Sequence, residues 1–210
     1  MTKIKYYFCL LTIIAFVGCL PQEEALLKVK SKNSDEIAQN KTPMEISIIG
    51  GGCFWCTEAV FEKIKGIRDV VSGYAGGEVL NPTYKQICTG TTGHAEVIKI
   101  TFDPSIISFS EILNLFGECH DPTTLNRQGA DVGTQYRSTI MYLSDEQKNL
   151  AIEWKNRLSQ KLEDPVVTEI VAAPIFYPAE DYHQDYYKKN PNQGYCSFVI
   201  RPKLKKLNLE

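Results

Sequence analysis

The sequence predicts an α+β fold, a two-layer α/β sandwich with a mixed, mainly antiparallel, ferredoxin-like sheet and a loop-rich C-terminal segment. Strand-like and helix-like segments alternate along the chain through short connections, which suits this architecture. With 210 residues and a net charge of −2, the chain is long enough for one domain with a sizeable core. Charges of both signs are scattered and form no basic block, which argues against nucleic-acid binding.

The predicted strands are short runs of alternating apolar and polar residues that end at turn residues. They cover residues 45–49, 67–74, 95–102, 136–143 and 166–172. A segment rich in Asp, Pro, Thr, Asn and Gly predicts a loop over 121–134, and residues 174–202 predict further loops with many aromatic side chains.

Helical periodicity predicts three helices between these strands. The first covers 54–65 and the second covers 110–116. The third begins after Ser144, with Gln147 in the capping-box position three residues later. Its apolar face is one stripe of residues: Leu150, Ala151, Trp154, Leu158 and Leu162.

Residues 1–19 have the pattern of a bacterial secretory signal. Lysines precede an apolar run over 6–17 that is shorter than the roughly 20 residues of a membrane span. The run ends at Gly18-Cys19, which resembles a lipobox, so we predict a lipid on Cys19 and a membrane-anchored protein on the periplasmic or surface side of the cell envelope. An ordinary cleaved signal, giving a secreted or periplasmic protein, or an uncleaved anchor remains the alternative. Residues 20–43 predict a flexible polar tether, and residues 44–207 form the predicted domain.

Cys53 is the strongest candidate for a reactive group. It follows three glycines where a predicted strand passes into a helix. Free N–H groups and the positive end of the helix dipole are expected there to lower the thiol pKa from about 8.5, which favours the nucleophilic thiolate. An isolated cysteine at such a turn is more often a buried structural residue.

The neighbours of Cys53 strengthen the reactive interpretation. Phe54 and Trp55 place aromatic surfaces beside the sulfur, and Cys56 follows one helical turn later. A Cys-x-x-Cys pair in an exported protein is redox-active, a structural disulfide or half of a zinc site. The remaining cysteines and histidines offer no second pair at metal-ligand spacing, so we predict no metal and no cofactor.

Seven short motifs, in this order, carry a family resemblance. They are Gly51-Gly52-Cys53-Phe54-Trp55-Cys56, Ser72-Gly73-Tyr74-Ala75-Gly76-Gly77, Asn81-Pro82-Thr83-Tyr84, Gly93-His94-Ala95-Glu96, Asp131-Val132-Gly133-Thr134-Gln135-Tyr136-Arg137-Ser138, Tyr182-His183-Gln184-Asp185-Tyr186 and Gly194-Tyr195-Cys196. Between about residues 46 and 205 the chain resembles the peptide-methionine (S)-S-oxide reductases, the type A methionine sulfoxide reductases.

The resemblance implies a role for each matching residue. Cys53 attacks the sulfoxide sulfur, Glu96 protonates the sulfoxide oxygen, and the hydroxyls of Tyr84 and Tyr136 bind that oxygen. Asp131 helps to organise the site. The aromatic pair after Cys53 holds the S-methyl group. These residue types suit the chemistry, because a sulfoxide becomes a good electrophile only when its oxygen takes up a proton. Considered alone, a glutamate on a strand is more often a solvated surface residue.

Two cysteines are candidates to resolve the sulfenic acid that forms on Cys53. Cys56 is local, and Cys196 lies in a Gly-containing segment that we expect to be flexible. The resemblance implies a monomer that reduces the S-epimer of free or protein-bound methionine sulfoxide and is recycled by thioredoxin or a thioredoxin-like donor. Cys88 and Cys119 are predicted to be inert, and the three histidines to be structural or rim residues.

Two other functions remain open from the residues alone. The Cys53/Cys56 pair also fits a thiol–disulfide oxidoreductase of thioredoxin type, although Phe-Trp is an unusual pair between its cysteines. A non-enzymatic alternative is a surface-anchored binding lipoprotein with structural disulfides.

Overall fold

The computed structural model describes residues 43–210. The predicted signal, Cys19 and nearly all of the tether lie outside the described residues. The strands are β1 (Glu45–Gly50), β2 (Ile67–Ala75), β3 (Ala95–Phe102), β4 (Arg127–Gln128), β5 (Asp131–Val132), β6 (Thr139–Tyr142), β7 (Glu169–Ala172) and β8 (Tyr177–Pro178).

The helices are short except for two of them. They are α1 (Phe54–Phe61), α2 (Tyr84–Ile87), α3 (Phe109–Cys119), α4 (Asp145–Ser159), α5 (Tyr186–Lys189) and α6 (Arg201–Lys206). A 3₁₀ turn covers Thr134–Tyr136, and a π-helical turn over Cys196–Ile200 continues directly into α6. Within residues 43–210, none of the helices combines the length and the apolar character that a membrane crossing requires.

The main sheet has six strands in the order β7-β6-β1-β3-β2-β8. Its central four strands, β6-β1-β3-β2, pair with one another in antiparallel fashion, and α1 and α3 form the two crossover connections. This is the ferredoxin-like arrangement. Strand β8 adds antiparallel to β2 and strand β7 adds parallel to β6. The predicted mixed, mainly antiparallel two-layer fold is confirmed.

The two faces of the sheet bury different residues, because successive side chains of a strand point to opposite sides. On one face, the core contains the strand residues Ile49, Ile98 and Ile140. They pack with Phe61 of α1 and Phe116 of α3. The other face buries a smaller cluster: Ile48, Val97 and Met141, with Phe176 packed against it. The larger core therefore lies under the helix that begins after Cys53.

Three predicted elements differ from the structure. The first helix ends at Phe61 rather than near residue 65. Tyr136 closes the 3₁₀ turn instead of beginning a strand. The C-terminal segment is loop-rich as far as Gly194, but it then forms helical turns because Ile200 and Leu204, one turn apart, are both fully buried in the core.

Candidate active site

The backbone around Cys53 is shaped by the glycines that precede it. Gly52 adopts φ +92°, a left-handed conformation that glycine adopts without steric cost. At Gly51 a Cβ atom would lie 2.8 Å from the ring of Phe116 and 2.9 Å from the ring of His120. Cys53 is the N-cap residue of α1, and its side chain is only 8% exposed. The glycines therefore let the start of α1 sit deep against α3.

Glu96 reaches the start of α1 from the neighbouring strand β3. The backbone N–H of Phe54 donates to Glu96 Oε2 at 3.1 Å, and the side chain is 2% exposed. Burial raises the pKa of Glu96 to about 8, although this hydrogen bond lowers it, and the negative charge of Asp131 raises it further. Most of the carboxyl is therefore protonated at neutral pH, as an acid catalyst requires. Glu96 is buried in the site and is not a solvated surface residue.

The pKa values of the two motif cysteines differ from the sequence expectation. Burial raises the pKa of the Cys53 thiol well above its ordinary value, and its hydrogen bond with Cys56 and the charge of Glu96 add to the rise. The same hydrogen bond lowers the pKa of Cys56 to about 7. The expectation that the helix start lowers the pKa of Cys53 was wrong for this resting state, because burial of the thiol raises its pKa.

Asp131 joins the site through a tyrosine that the sequence analysis did not single out. The Tyr195 hydroxyl donates to Asp131 Oδ2 at 2.7 Å and lies 3.6 Å from the Cys56 sulfur. Its place in the Gly-Tyr-Cys motif was the only sequence signal. Because Tyr195 bridges the carboxylate of Asp131 and the sulfur of Cys56, it orders the side of the site that faces the C-terminal segment.

Phe54 and Trp55 form an aromatic wall together with residues from the C-terminal segment. The Trp55 indole N–H donates to His183 Nδ1 at 3.1 Å. The indole also stacks on Tyr186, with ring centroids 3.6 Å apart and planes inclined by 5°. His183 is 1% exposed and lies 5.0 Å from the Phe54 ring. His183, predicted to be a structural or rim residue, is buried and holds the Trp55 indole.

Tyr84 and Tyr136 remain hydroxyl donors at neutral pH. Burial raises the pKa of both phenols, and the charge of Glu96 raises both further. The ring of Tyr84 lies 4.3 Å from that of His183. Its backbone N–H donates to Glu180 Oε1 at 2.9 Å, which ties α2 to the C-terminal segment. Both predicted tyrosines are therefore brought to the same site as Glu96.

The cysteines of residues 43–210 are all free thiols. Cys196 is fully buried at the start of the π-helical turn, so the expectation of a flexible loop position was wrong in this state. Cys119 is also buried, whereas Cys88 is exposed rather than packed in an apolar element. Within the same residues, the histidine, cysteine, aspartate and glutamate side chains form no group of three or more that suits a metal ion.

Comparisons with known proteins point to one family. A family model described as "Peptide methionine sulfoxide reductase" matches residues 45–210. The chain is 58% identical over 163 residues to the peptide methionine sulfoxide reductase MsrA of Sulfolobus acidocaldarius, covering 78% of this chain and 93% of that protein.

Solved structures show the same similarity. The chain resembles reduced Mxr1 from Saccharomyces cerevisiae with a TM-score of 0.70 and 37% identity, covering 73% of this chain and 89% of that chain. It also resembles Mxr1 in complex with Trx2, with a TM-score of 0.50 and 27% identity, covering 68% of this chain and 84% of that chain.

The raised pKa of Glu96 predicts a pH dependence of stability. Its pKa is about 8 in the folded protein against 4.5 for an ordinary glutamate. The folded state therefore binds more protons between these values, and the free energy of unfolding falls as the pH rises from 4.5 through 8. Glu96→Gln should reduce this fall by at least about 1 kcal/mol, since one pKa unit corresponds to about 1.4 kcal/mol.

Urea unfolding at pH 5 and pH 8 measures the effect. Glu153→Gln, which changes an exposed carboxyl on α4, is the matched control and should leave the fall unchanged. Equal pH dependence in wild type and Glu96→Gln would contradict the raised pKa.

Proposed function

The chain belongs to the peptide methionine sulfoxide reductase family, and from this premise we propose that it reduces the S-epimer of methionine sulfoxide, free or in proteins. It is an oxidoreductase. The observation that carries the proposed mechanism is the buried, largely protonated Glu96 at the start of the helix that Cys53 caps. The family match leaves no reason to prefer the thiol–disulfide oxidoreductase or the binding lipoprotein.

The substrate sits with its S-methyl group against Phe54 and Trp55. Its oxygen faces the Glu96 carboxyl and the two tyrosine hydroxyls. Phe54 N–H binds Glu96 Oε2, so Oε1 is free to carry the proton that goes to the sulfoxide oxygen. The phenols donate hydrogen bonds without adding a positive charge to the site.

Proton transfer and nucleophilic attack are coupled through Glu96. Its charged form raises the pKa of Cys53, whereas its protonated form removes that repulsion and favours the thiolate. The Cys53 sulfur attacks the sulfur of the activated sulfoxide and forms an S–S bond, while the thiol proton passes to the Glu96 carboxylate. The hydroxyl group then moves to the Cys53 sulfur as the S–S and S–O bonds to the substrate break. Methionine leaves with one electron pair of those bonds, and Cys53 becomes a sulfenic acid. The net reaction converts one thiol and one sulfoxide into one sulfenic acid and one thioether.

Cys56 is suited to the first resolving step. Its pKa of about 7 gives a substantial thiolate fraction at neutral pH, and it is hydrogen-bonded to Cys53. Attack on the sulfenic sulfur forms a Cys53–Cys56 disulfide and releases water. Cys196 then displaces Cys53 from Cys56, and thioredoxin or a thioredoxin-like donor reduces the resulting Cys56–Cys196 disulfide. The similarity to Mxr1 in complex with Trx2 supports a donor of this kind.

Replacement of the nucleophile tests the proposed function. Cys53→Ser should leave less than about 1% of the wild-type turnover of methionine (S)-sulfoxide, because a serine alkoxide does not form at neutral pH. Wild type should turn over the S-epimer and not the R-epimer in a dithiothreitol-driven assay with chromatographic detection of methionine. Glu153→Gln, which changes an exposed carboxyl on α4, is the control. Retained activity in Cys53→Ser would exclude the proposed nucleophile.

Replacement of each resolving cysteine tests the order of exchange. With thioredoxin, Cys196→Ser should complete one stoichiometric turnover and then stall, while a small dithiol still recycles it. Cys56→Ser should keep appreciable thioredoxin-dependent turnover, because Cys196 then attacks the sulfenic acid directly. Rapid-quench measurement of the methionine formed per enzyme molecule distinguishes the two variants. A stall in Cys56→Ser together with full recycling in Cys196→Ser would reverse the proposed order.

We also propose that Cys19 carries a lipid that anchors the protein to the membrane of a bacterial cell envelope. The support is the sequence pattern alone. Cys19→Ala should shift the protein to the soluble fraction or leave an uncleaved precursor. Mass spectrometry of the mature N-terminus should find a lipidated Cys19, and an unmodified N-terminus at another residue would reject the anchor.

A further inference from the structure

Glu58 is a buried carboxyl on α1 that the proposed chemistry does not use. Its side chain is fully buried, and burial raises its pKa to about 7. Ser72 Oγ donates to Glu58 Oε1 at 3.0 Å, and the backbone N–H of Tyr186 donates to Glu58 Oε2 at 3.0 Å. Burying a carboxyl is costly even when it is hydrogen-bonded, so these two contacts indicate what Glu58 holds in place.

The contact with Tyr186 supplies a cap that the local sequence does not. Tyr186 is the first residue of α5, and the residue before it, Asp185, is in the left-handed region at φ 53° and makes no capping hydrogen bond from its side chain. A helix of four residues is too short to hold its own conformation. Glu58, 128 positions away in sequence, therefore holds the first N–H group of α5. Gln184, two residues earlier, is bonded separately to the backbone of Ser72.

The position of Tyr186 in turn determines the position of Trp55. The two rings are almost parallel, with centroids 3.6 Å apart. The indole also donates its N–H to His183. Trp55 and Glu58 are three residues apart on α1, so their side chains lie on neighbouring positions of one helix face. The contacts therefore close a ring from Glu58 to Tyr186, to Trp55 and back along α1.

We propose that Glu58 is a positioning residue for the methyl pocket, where its side-chain oxygen holds Tyr186 so that the Tyr186 ring fixes the Trp55 indole. This proposal rests on the proposed function, because it assigns Trp55 to binding of the S-methyl group. The contact requires an acceptor oxygen at Oε2 and not a negative charge. An amide supplies that oxygen, and its NH₂ group can donate to Ser72 Oγ, so glutamine should replace glutamate.

Three variants of the full chain test the proposal. They are built on Trp154→Phe, which leaves Trp55 as the single tryptophan of a chain that has two. Glu58→Met removes the acceptor and keeps the side-chain length. Glu58→Gln keeps the acceptor, and Ser72→Ala removes only the other partner of Glu58. Each is measured for kcat and KM with methionine (S)-sulfoxide and for Trp55 emission and acrylamide quenching.

We expect Glu58→Met to raise KM about tenfold, the low end of what a methyl-sized contact in an apolar pocket contributes to substrate discrimination. The kcat should stay within about twofold, because Cys53 and Glu96 stay in place. Trp55 should become more accessible to acrylamide. Glu58→Gln and Ser72→Ala should keep KM and quenching close to those of the Trp154→Phe parent. Unchanged KM and quenching in Glu58→Met, or an equal defect in Glu58→Gln, would overturn the proposal.

Two further measurements keep the proposal testable. If Glu58→Met does not fold, Tyr186→Leu removes the stacked ring and leaves the backbone bond to Glu58, and it should give the same rise in KM and in quenching. An unchanged Tyr186→Leu would reject the role of Tyr186. Failure of the proposed function is separate, since it would appear as no turnover by the parent, whereas the Trp55 readout does not depend on activity.

Discussion

The site depends on the hydrogen bond that the first N–H of α1 donates to Glu96. This bond joins the start of the helix that carries Cys53, Phe54 and Trp55 to the central strand β3. It forms with either protonation state of the carboxyl, because Oε2 acts as an acceptor in both. The other oxygen can therefore gain and lose a proton without a change in the geometry of the nucleophile, which is the condition for a positioned general acid.

The pKa values in the pocket are set by burial and by neighbouring negative charges. Glu96, Asp131 and the cysteine pair share a small buried volume, and each negative charge raises the pKa of another group there. On the proposed function, the groups at the sulfoxide oxygen are the neutral phenols of Tyr84 and Tyr136. Within residues 43–210, no lysine or arginine lowers the pKa of Glu96. A buried carboxyl without a cationic partner keeps its proton, and the proposed acid catalysis uses that proton.

The sequence predicted the local features well and the long-range features poorly. Strands β1, β2 and β3 and the Ser144-capped helix α4 follow from alternation and capping, which are properties of neighbouring residues. The raised pKa of Cys53 depends first on burial by distant parts of the chain and then on its hydrogen bond with Cys56 and the charge of Glu96. The contacts of Tyr195 and His183 depend on packing of the C-terminal segment onto α1. The sequence did not predict that Glu58 is buried. A glutamate in a helix is usually solvated, and its distant partner Tyr186 is visible only in the structure.

The C-terminal segment has two tasks that require different mobility. Its first part forms the aromatic wall and is tied to the rest of the domain by Glu58, Glu180 and the Trp55–His183 bond. Its second part holds Cys196 in a π-helical turn, which is a local departure from α-helical winding. Cys196 is fully buried, so a reductant reaches its sulfur only when this turn opens. On the proposed function, this opening requires release of the Tyr195 hydroxyl from Asp131 and of Ile200 from the core. The contacts of Glu58, Glu180 and His183 lie earlier in the segment and take no part in the turn.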